Sequence, residues 1–557
     1  MTYPALDDNA LYFVPLGGSE QFGVNLNVYA CDGDLLAIDC GIGFADERLP
    51  GIDLLLPDPA FLEENQGRLK GLIITHAHED HIGAVARLWK RLKCPIYTAP
   101  FTAAVLRKKL EEQNLRKVPI EIFEPHEAVQ IGAFSVQAIP VTHSVPEAFS
   151  VLIDTDYGRV MHSGDWNLDP APVIGEAVDA EAFKAIGDDG VLAYIGDSTN
   201  AEVDGFSGSE ADVEVGLAEL FKEQKGRIAI TMFSSNIARV RSIAKAAEAC
   251  DRQVGVIGRS LHRMIGCAKE CGYLDDIPAF VDEEDLGFLP DSNAVMIVTG
   301  SQGEFRAALA KIARGDHRNA SLKRGDTVIF SARAIPGNER EVNTVKNNLS
   351  GAGIKVITPN DTPHKIHVSG HPCRDEIAQM LQWLRPSLVV PVHGERTQLE
   401  AHAKFAQSCQ VKNTIVPSNG SVIRLGPDAP AVVDHIETGV LAVDQKRAIK
   451  AEHRSISERR KLQFTGALHV SVAVDGGGKM LGSPQFEMLG LIDVKNAGEA
   501  QIEDNLAIEI EEIFDDLTLD ERLDDHFIGE ELRIGLRRFC HHTLGIKPKT
   551  TVHVLRV

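Results

Sequence analysis

The chain has 557 residues, 57 basic and 80 acidic side chains for a formal net charge of −23, and 44% apolar residues. At roughly 150 residues per domain this length holds three or four domains, and the composition is that of an ordinary soluble globular protein. No apolar run long enough for a transmembrane helix occurs, and Met1-Thr2-Tyr3-Pro4 has neither the basic start nor the apolar stretch of a secretory signal. Nine scattered cysteines without a Cys-x-x-Cys pair argue against a disulfide framework or zinc ribbon and for a reducing cytoplasm. Taken alone, the acidic balance points away from a polyanionic partner.

In chain order, the first 200 residues alternate short β-rich runs with turns. Residues 35–39 and 71–75 read as buried strands, 151–154 and 159–161 as a hairpin, and 82–92 and 101–110 as helices. Interleaved helices and strands favour an α/β layered fold. From about 208 the alternation becomes regular. Strand-like 227–232, 254–257, 295–298 and 327–330 are separated by helical segments such as 237–249, the pattern of an open parallel sheet inserted as its own domain. Another strand, 388–392, ends at His393, and polar, basic 439–460 reads as a linker. The charge is uneven. Residues 208–362 hold 20 basic and 21 acidic groups, 499–531 hold 14 acidic groups and only Arg522, and the last 26 residues hold six basic groups and no acid. A separate C-terminal module with a solvated or partner-facing acidic surface is expected.

The strongest chemical signal is His76-Ala77-His78-Glu79-Asp80-His81, directly after the strand 71–75. Imidazole and carboxylate suit borderline metals such as Zn²⁺. A loop this short cannot wrap three histidines and an aspartate around one ion, so two ions, each taking two of the four, is the natural solution. Other ligands should come from other strand ends. His143 follows 136–141, Asp165 follows 160–162, and His393 follows 388–392. Each could singly be a capping or hydrogen-bonded residue; their shared position beyond an apolar run favours ligation.

These residues resemble the metal motifs of the metallo-β-lactamase superfamily. The resemblance implies one ion held by His76, His78 and His143, a second by Asp80, His81 and His393, and Asp165 bridging. Asp197, at the end of strand 191–195, and the segment His367-Val368-Ser369-Gly370-His371 resemble motifs A and B of the β-CASP branch, with His393 as motif C. Leu16-Gly17-Gly18, Phe233-Ser234-Ser235-Asn236 and the C-terminal module extend the likeness to the bacterial ribonuclease J family. The fold implied is α/β: a metallo-β-lactamase αββα sandwich (1–207 and 363–438), split by an inserted β-CASP α/β domain (208–362), then a linker (439–460) and a small C-terminal α/β oligomerisation domain (461–557).

The activity implied is a two-metal ribonuclease acting 5′→3′ on single-stranded RNA, preferring a 5′-monophosphate, with endonuclease activity as an additional mode and roles in mRNA decay and ribosomal RNA 5′-end maturation in the cytoplasm. The alternatives are a mainly endonucleolytic β-CASP nuclease and a DNA-acting relative. Two nearby ions can stabilise both the attacking and leaving oxygens of a phosphodiester. Asp80, Asp197 and His371 are the candidate catalytic residues. His371 would protonate the departing 3′ oxygen, or serve only as a hydrogen-bond donor to phosphate. Asp197 would orient a ligand histidine, or act directly in proton transfer. Phe233, Ser234, Ser235, Asn236, His367, Val368, Ser369, Gly370 and His371 are the candidate phosphate-binding residues.

Two Zn²⁺ per subunit are expected, with Mn²⁺ or Mg²⁺ as alternative working metals. Some relatives carry a structural Ca²⁺ near positions matching Gly51, Asp53 and Asp444, where turn chemistry is an equal reading. The resemblance also implies a homodimer, extended to a homotetramer, and association with an RNA-degradation complex. Arg239, Arg241, Arg259, Arg263, Arg306, Arg333 and Arg340 of the near-neutral insertion are candidates to line a basic cleft. Screening over about 8 Å lets such a cleft coexist with an acidic exterior.

Overall fold

Strands buried on every residue need cover on both faces, and Leu11–Gly17 and Leu26–Cys31 are buried throughout. The computed structural model, which describes residues 6, 9–335, 337–493 and 495–557, supplies that cover by setting two sheets face to face. Two compact units are present, one formed by residues up to 43 with 55–440, the other by 44–54 with 441–557.

In the first unit, an eight-stranded sheet contains Leu11–Gly17, Leu26–Cys31, Asp34–Ile38 and Leu69–Ile73 as consecutive neighbours. A seven-stranded sheet runs through Leu388–Val392, Ala193–Asp197, Gly158–His162, Phe149–Thr155 and Phe134–Pro140. Leu11, Phe13, Tyr29, Ile38 and Ile73 of the first interdigitate with Val136, Val151, Val160, Ile195 and Val390 of the second, the packing of two sheets about 10 Å apart. Helices that include Val85–Leu92, Pro100–Glu112 and Arg396–Ser408 complete the αββα sandwich. The expected hairpin is present, with Thr155 opposite Gly158. The helix expected over 82–92 is divided into Glu79–Ile82 and Val85–Leu92.

Register decides where chemistry can collect. His162 is level with Ile195, and Asp197 with Val392, in three parallel strands. Ile38 is level with Ile73 in the other sheet. The carboxyl ends of these strands share edges, so Asp39, His76, Asp165, Asp197 and His393 all emerge at strand ends, where ligand sites of open α/β sheets collect.

The insertion forms a five-stranded parallel sheet in the order Gln253–Ile257, Ala294–Val298, Ile228–Thr231, Thr327–Phe330, Lys355–Ile357. A buried ion pair braces it. Arg239, 1% exposed, sets its Nε and Nη2 against Glu210 at 2.9 and 2.7 Å, and its Nη1 donates to Ser331 O and Ile366 O. Arg239 is thus committed to the interior and does not face a cleft, unlike the expectation for it. A second clasp is Glu376, fully buried, which accepts from Leu168 N, Ser207 N, Ser207 Oγ and Cys373 N at 2.7–2.9 Å. It ties the chain at Ser207, just before the insertion, to Leu168 of the sandwich.

In the second unit the sheet order is Gln485–Leu489, Ala467–Val474, Lys549–Arg556. Helices Ala497–Asp515 and Asp525–Leu544 bury Leu506, Ile510 and Phe514, and Ile528, Leu532, Leu536 and Cys540, against it. Their fourfold spacing is one helix face. Residues 439–460, expected as a linker, instead hold the hairpin Val440–Asp444/Arg447–Lys450 and the start of helix Arg454–Thr465. The reason is local: Leu441 and Ala442 are buried, and Gln445, at φ 56°, turns the chain.

Two buried histidines outside the ligand cluster make the fold acid-sensitive. Burial pushes His162 and His402 down to about 4. Both rings are neutral when folded, whereas the unfolded chain binds a proton to each below about pH 6.5. Their folded values are lowered, so acidification favours unfolding. The penalty is absent above about pH 6.5, reaches about 2 kcal/mol per ring near pH 5, and stops growing below the folded value. His402→Phe loses the Ser198 hydrogen bond (3.0 Å) and is expected to be about 1 kcal/mol less stable near pH 7.5. The gap should close or invert near pH 5 in urea titrations; parallel pH profiles for the two proteins would refute it.

Candidate metal centre

The loop after Leu69–Ile73 is pinned before it reaches its ligands. Asp39, at the end of the adjacent parallel strand, accepts from Thr75 N (2.9 Å) and Thr75 Oγ1 (3.0 Å). Asp39 Oδ2 also accepts from His81 Nδ1 at 2.7 Å. His78 is the N-cap of helix Glu79–Ile82, whose single turn gathers Asp80 and His81. Outer acceptors fix the tautomers. His81 donates from Nδ1 to a carboxylate, and His143 donates from Nδ1 to Gly370 O at 2.6 Å. In the neutral rings Nε2 is then the lone-pair nitrogen, as metal ligation requires.

The sequence candidates converge. His76 Nε2 lies 3.1 Å and His143 Nε2 3.0 Å from His78 Nδ1. His81 Nε2 lies 3.1 Å from Asp165 Oδ2 and 3.5 Å from Asp80 Oδ2, and His393 Nε2 lies 3.1 Å from Asp80 Oδ2. Two four-residue groups result, His76/His78/His143/Asp165 and Asp80/His81/Asp165/His393, each with donor atoms within 4.8 Å of one another. A third group, Asp165/Asp197/His371/His393, adjoins them.

Asp165 belongs to all three. Its buried Oδ2 accepts no hydrogen bond, although nitrogens of His76, His81, His143 and His371 stand 3.1–3.9 Å away. A buried carboxylate oxygen left in this way is costly unless a cation completes it. The donor set, imidazole and carboxylate without thiolate, fits a borderline divalent ion.

The electrostatics divide the cluster. Burial and neighbouring imidazoles hold His76 and His143 far below the ordinary histidine value, and burial brings His78 to about 4. Burial acts likewise on His81, His371 and His393, but there the carboxylates of Asp165, Asp80 and Asp197 outweigh it and the net shift is upward.

His371 Nδ1 lies 2.8 Å from Asp197 Oδ2, and its ring stacks on that of His393 at 5.5 Å. Thr199 Oγ1 donates to Asp197 Oδ1 (2.8 Å) and lies 2.9 Å from His393 Nδ1. Asp197 therefore serves both histidines: it is hydrogen-bonded to His371, and it lies 3.5 Å from His393 Nδ1 with the threonine hydroxyl shared between them. The loop bearing His371 is held by Asn167 and Asn200, whose amides donate to Ser369 O and Ser369 Oγ. Gly370 carries the contact to His143, and a Cβ there would lie 2.8 Å from that ring. Gly370→Ala should displace His143 and lower kcat about 10- to 100-fold, while circular dichroism stays native; an unaltered rate would show that this contact is dispensable.

The other candidates are distributed unevenly. The hydroxyls of Ser234 and Ser235 carry no hydrogen bond among the described residues. Asn236 caps helix Ile237–Glu248 and donates to Glu210, so it is occupied structurally. Phe233 O closes the same turn by accepting from Asn236 N. Val368 is buried. His367 is pushed down to about 3 by burial and by Arg239 and Arg333, and its Nδ1 is unpartnered. The calcium expectation meets a different arrangement: Asp444 Oδ2 is clamped by Arg447 and by Arg459 (2.5 Å), and Asp53 O accepts from Ala45 N. Two guanidinium groups on one carboxylate supply the charge a cation at Gly51, Asp53 and Asp444 would have brought. Sequence reasoning missed Asp39, Thr199, Asn167, Asn200 and Glu376. Asp39 alone carried the usable signal, an acid ending an apolar strand.

Residues 36–186 match the beta-lactamase superfamily domain, 225–349 the beta-CASP domain of ribonuclease J, 362–417 the Zn-dependent metallo-hydrolase RNA specificity domain, and 454–557 the ribonuclease J C-terminal domain. The ribonuclease J of Sinorhizobium meliloti is 41% identical over 99% of this chain and 98% of its own length. That of Mycolicibacterium smegmatis is 34% identical over 100% and 99%. A solved Enterococcus faecalis protein of unknown function shares the fold over 75% of this chain and 100% of its own, at TM-score 0.53 and 16% identity. Fold and comparisons together define a metallo-β-lactamase-type hydrolase with a β-CASP insertion, a metal-dependent ribonuclease. The chain belongs to the ribonuclease J family. None of its described helices is long and apolar enough to cross a membrane.

Proposed function

We propose that this chain is a two-metal 5′→3′ exoribonuclease that prefers 5′-monophosphate RNA, releases nucleoside 5′-monophosphates, and also cleaves internally. The observation that carries the reading is the pair of four-residue groups sharing Asp165, with the His371–Asp197 pair beside them. His76, His78, His143 and Asp165 would hold one ion, and Asp80, His81, His393 and Asp165 the other. When bound, the ions, zinc by donor type with Mn²⁺ or Mg²⁺ as alternative working metals, activate water and neutralise charge on the phosphodiester.

The protein's own groups do the rest. Asp197 accepts from His371 Nδ1–H, and its charge with that of Asp165 favours the imidazolium; the Nε2–H of that ring gives its proton to the departing 3′ oxygen and leaves the neutral imidazole. Ser234, Ser235, His367 and Ser369 receive substrate phosphates, and Gly370 lets backbone approach closely. The cellular roles that follow are mRNA turnover and ribosomal RNA 5′-end maturation in the cytoplasm, within an RNA-degradation complex, by a homodimer or homotetramer assembled through 461–557. A timed digest of 5′-labelled RNA bearing a monophosphate or a triphosphate, with elemental analysis of the protein, tests this. Early release of labelled mononucleotide from the monophosphate form is expected. Internal fragments alone would reverse the exonuclease assignment in favour of an endonuclease.

A further inference from the structure

Four of the six basic residues of the acid-free C-terminal segment, Arg533, Arg537, Arg538 and Lys547, gather in one place. Helix Asp525–Leu544 buries Ile528, Leu532, Leu536 and Cys540 against its own sheet. Its remaining surface presents Arg533, Arg537, Arg538, His541 and His542, and Lys547 follows the Gly545 cap. With Ile534 these side chains line a cavity of about 670 Å³. Arg533 is paired with Glu530 at 2.7 Å. Among the described residues, Arg537, Arg538 and Lys547 have no ion pair, and Arg537 Nε is buried without a hydrogen-bond partner.

Unpaired cations in such a cluster need a reason. Like charges at i,i+4, as at Arg533/Arg537, repel by about 0.2–0.5 kcal/mol per pair. The chain has 80 acids with which to neutralise them. A helix C-terminus favours one or two cations through its dipole, but that effect does not build a concave site. The groove matches a ligand with repeated negative charge: 533, 537 and 541 form a row at intervals of about 6 Å, and guanidinium forks bind phosphate in two-point fashion.

We propose that this groove is a phosphate-backbone exosite for single-stranded RNA, engaging long substrates through the C-terminal unit. The proposal rests on RNA being the substrate. A protein partner is disfavoured because stable interfaces have an apolar, charge-depleted centre, and here Ile534 is the sole aliphatic lining residue. The lining has no Phe, Tyr or Trp ring to stack on a base and is dominated by guanidinium and ammonium groups, so recognition is chiefly of backbone and independent of sequence.

The test uses the full-length chain made catalytically silent by Asp80→Ala. Fluorescence anisotropy gives Kd for RNAs of about 40 and about 6 nucleotides across a salt series. Arg537→Gln/Arg538→Gln/Lys547→Gln should raise Kd for the long RNA at least about 10-fold and reduce the slope of log K against log salt by about 2, since each lost phosphate contact removes about 0.7. The ratio of long- to short-RNA affinity should fall. Arg538→Gln alone, at an exposed position, should remove about 0.7 and covers the event that the triple variant misfolds. Unaltered Kd and slope overturn the proposal. So does loss of self-association in sedimentation with RNA binding intact, which would give the groove to a second copy's acidic segment. If the parent chain binds neither RNA, the RNA reading itself fails; if it binds and the variants match it, only the exosite fails.

Discussion

Asp165→Asn is expected to lower RNA hydrolysis by about 10³-fold or more and to reduce bound metal measured on the same preparation. The substitution keeps shape and removes charge. Its effect is large because one carboxylate serves three ligand groups. Four imidazole nitrogens converge within 3.9 Å of Asp165 Oδ2, and no hydrogen bond completes that atom. With the charge gone, both proposed ions lose an anionic ligand together, and the carboxylates that raise His81 and His393 are reduced in number. A single electrostatic stabiliser is commonly worth about 10²–10³ in rate, and here one residue would support two. The loss should fall on kcat more than on KM, because the serines proposed to bind phosphate are untouched. Near-normal turnover with full metal content would remove Asp165 from the site.

Much of this site was legible because ligation leaves a local trace: a rare residue type directly beyond an apolar strand. His76, His78, Asp80, His81, His143, Asp165 and His393 all carry it, and all converge. Asp39 carries it too, yet no second histidine or acid stands beside it in sequence to mark it. Asn167, Asn200 and Thr199 leave no trace, since their roles depend on which loops the fold brings opposite them, across separations of 169–202 residues for most of these contacts. Arg239 shows the opposite failure. Composition offers it as a cleft cation, but only the tertiary structure places Glu210 against both edges of its guanidinium. Residues 439–460 misread for a related reason: basic side chains on an exposed hairpin resemble a linker until the burial of Leu441 and Ala442 is seen. The net charge of −23 likewise conceals the distribution that matters, with exposed acids at 504, 511, 512 and 515 on one helix of the C-terminal unit and unpaired arginines on the next.

Arg239→Met should destabilise the catalytic unit by about 3–5 kcal/mol, because it leaves Glu210 enclosed without its counter-charge. The methionine fills most of the space, so the cost is chiefly electrostatic. Asn236 Nδ2 still donates to Glu210 Oε1 at 3.1 Å, and Ser331 Oγ still donates to Ile366 O at 2.6 Å; neither supplies a positive charge. Glu210→Gln/Arg239→Met should recover most of the loss, since replacing both members of a buried pair with neutral groups is often nearly neutral. Arg239→Lys should not, because an ammonium cannot meet both carboxylate oxygens and the two carbonyls that the guanidinium serves at once. Differential scanning calorimetry of the three variants separates these outcomes. A double variant as unstable as Arg239→Met would mean that packing, not charge, sets the cost. The same pair also governs activity: Ile366 O is held by Arg239 Nη1, and His371 lies five residues beyond it. Surviving Arg239→Met protein should therefore show a lower kcat at unaltered metal content, restored in part by the double variant. That pattern would identify the buried pair as the brace that transmits the position of the insertion to His371, the proposed proton donor.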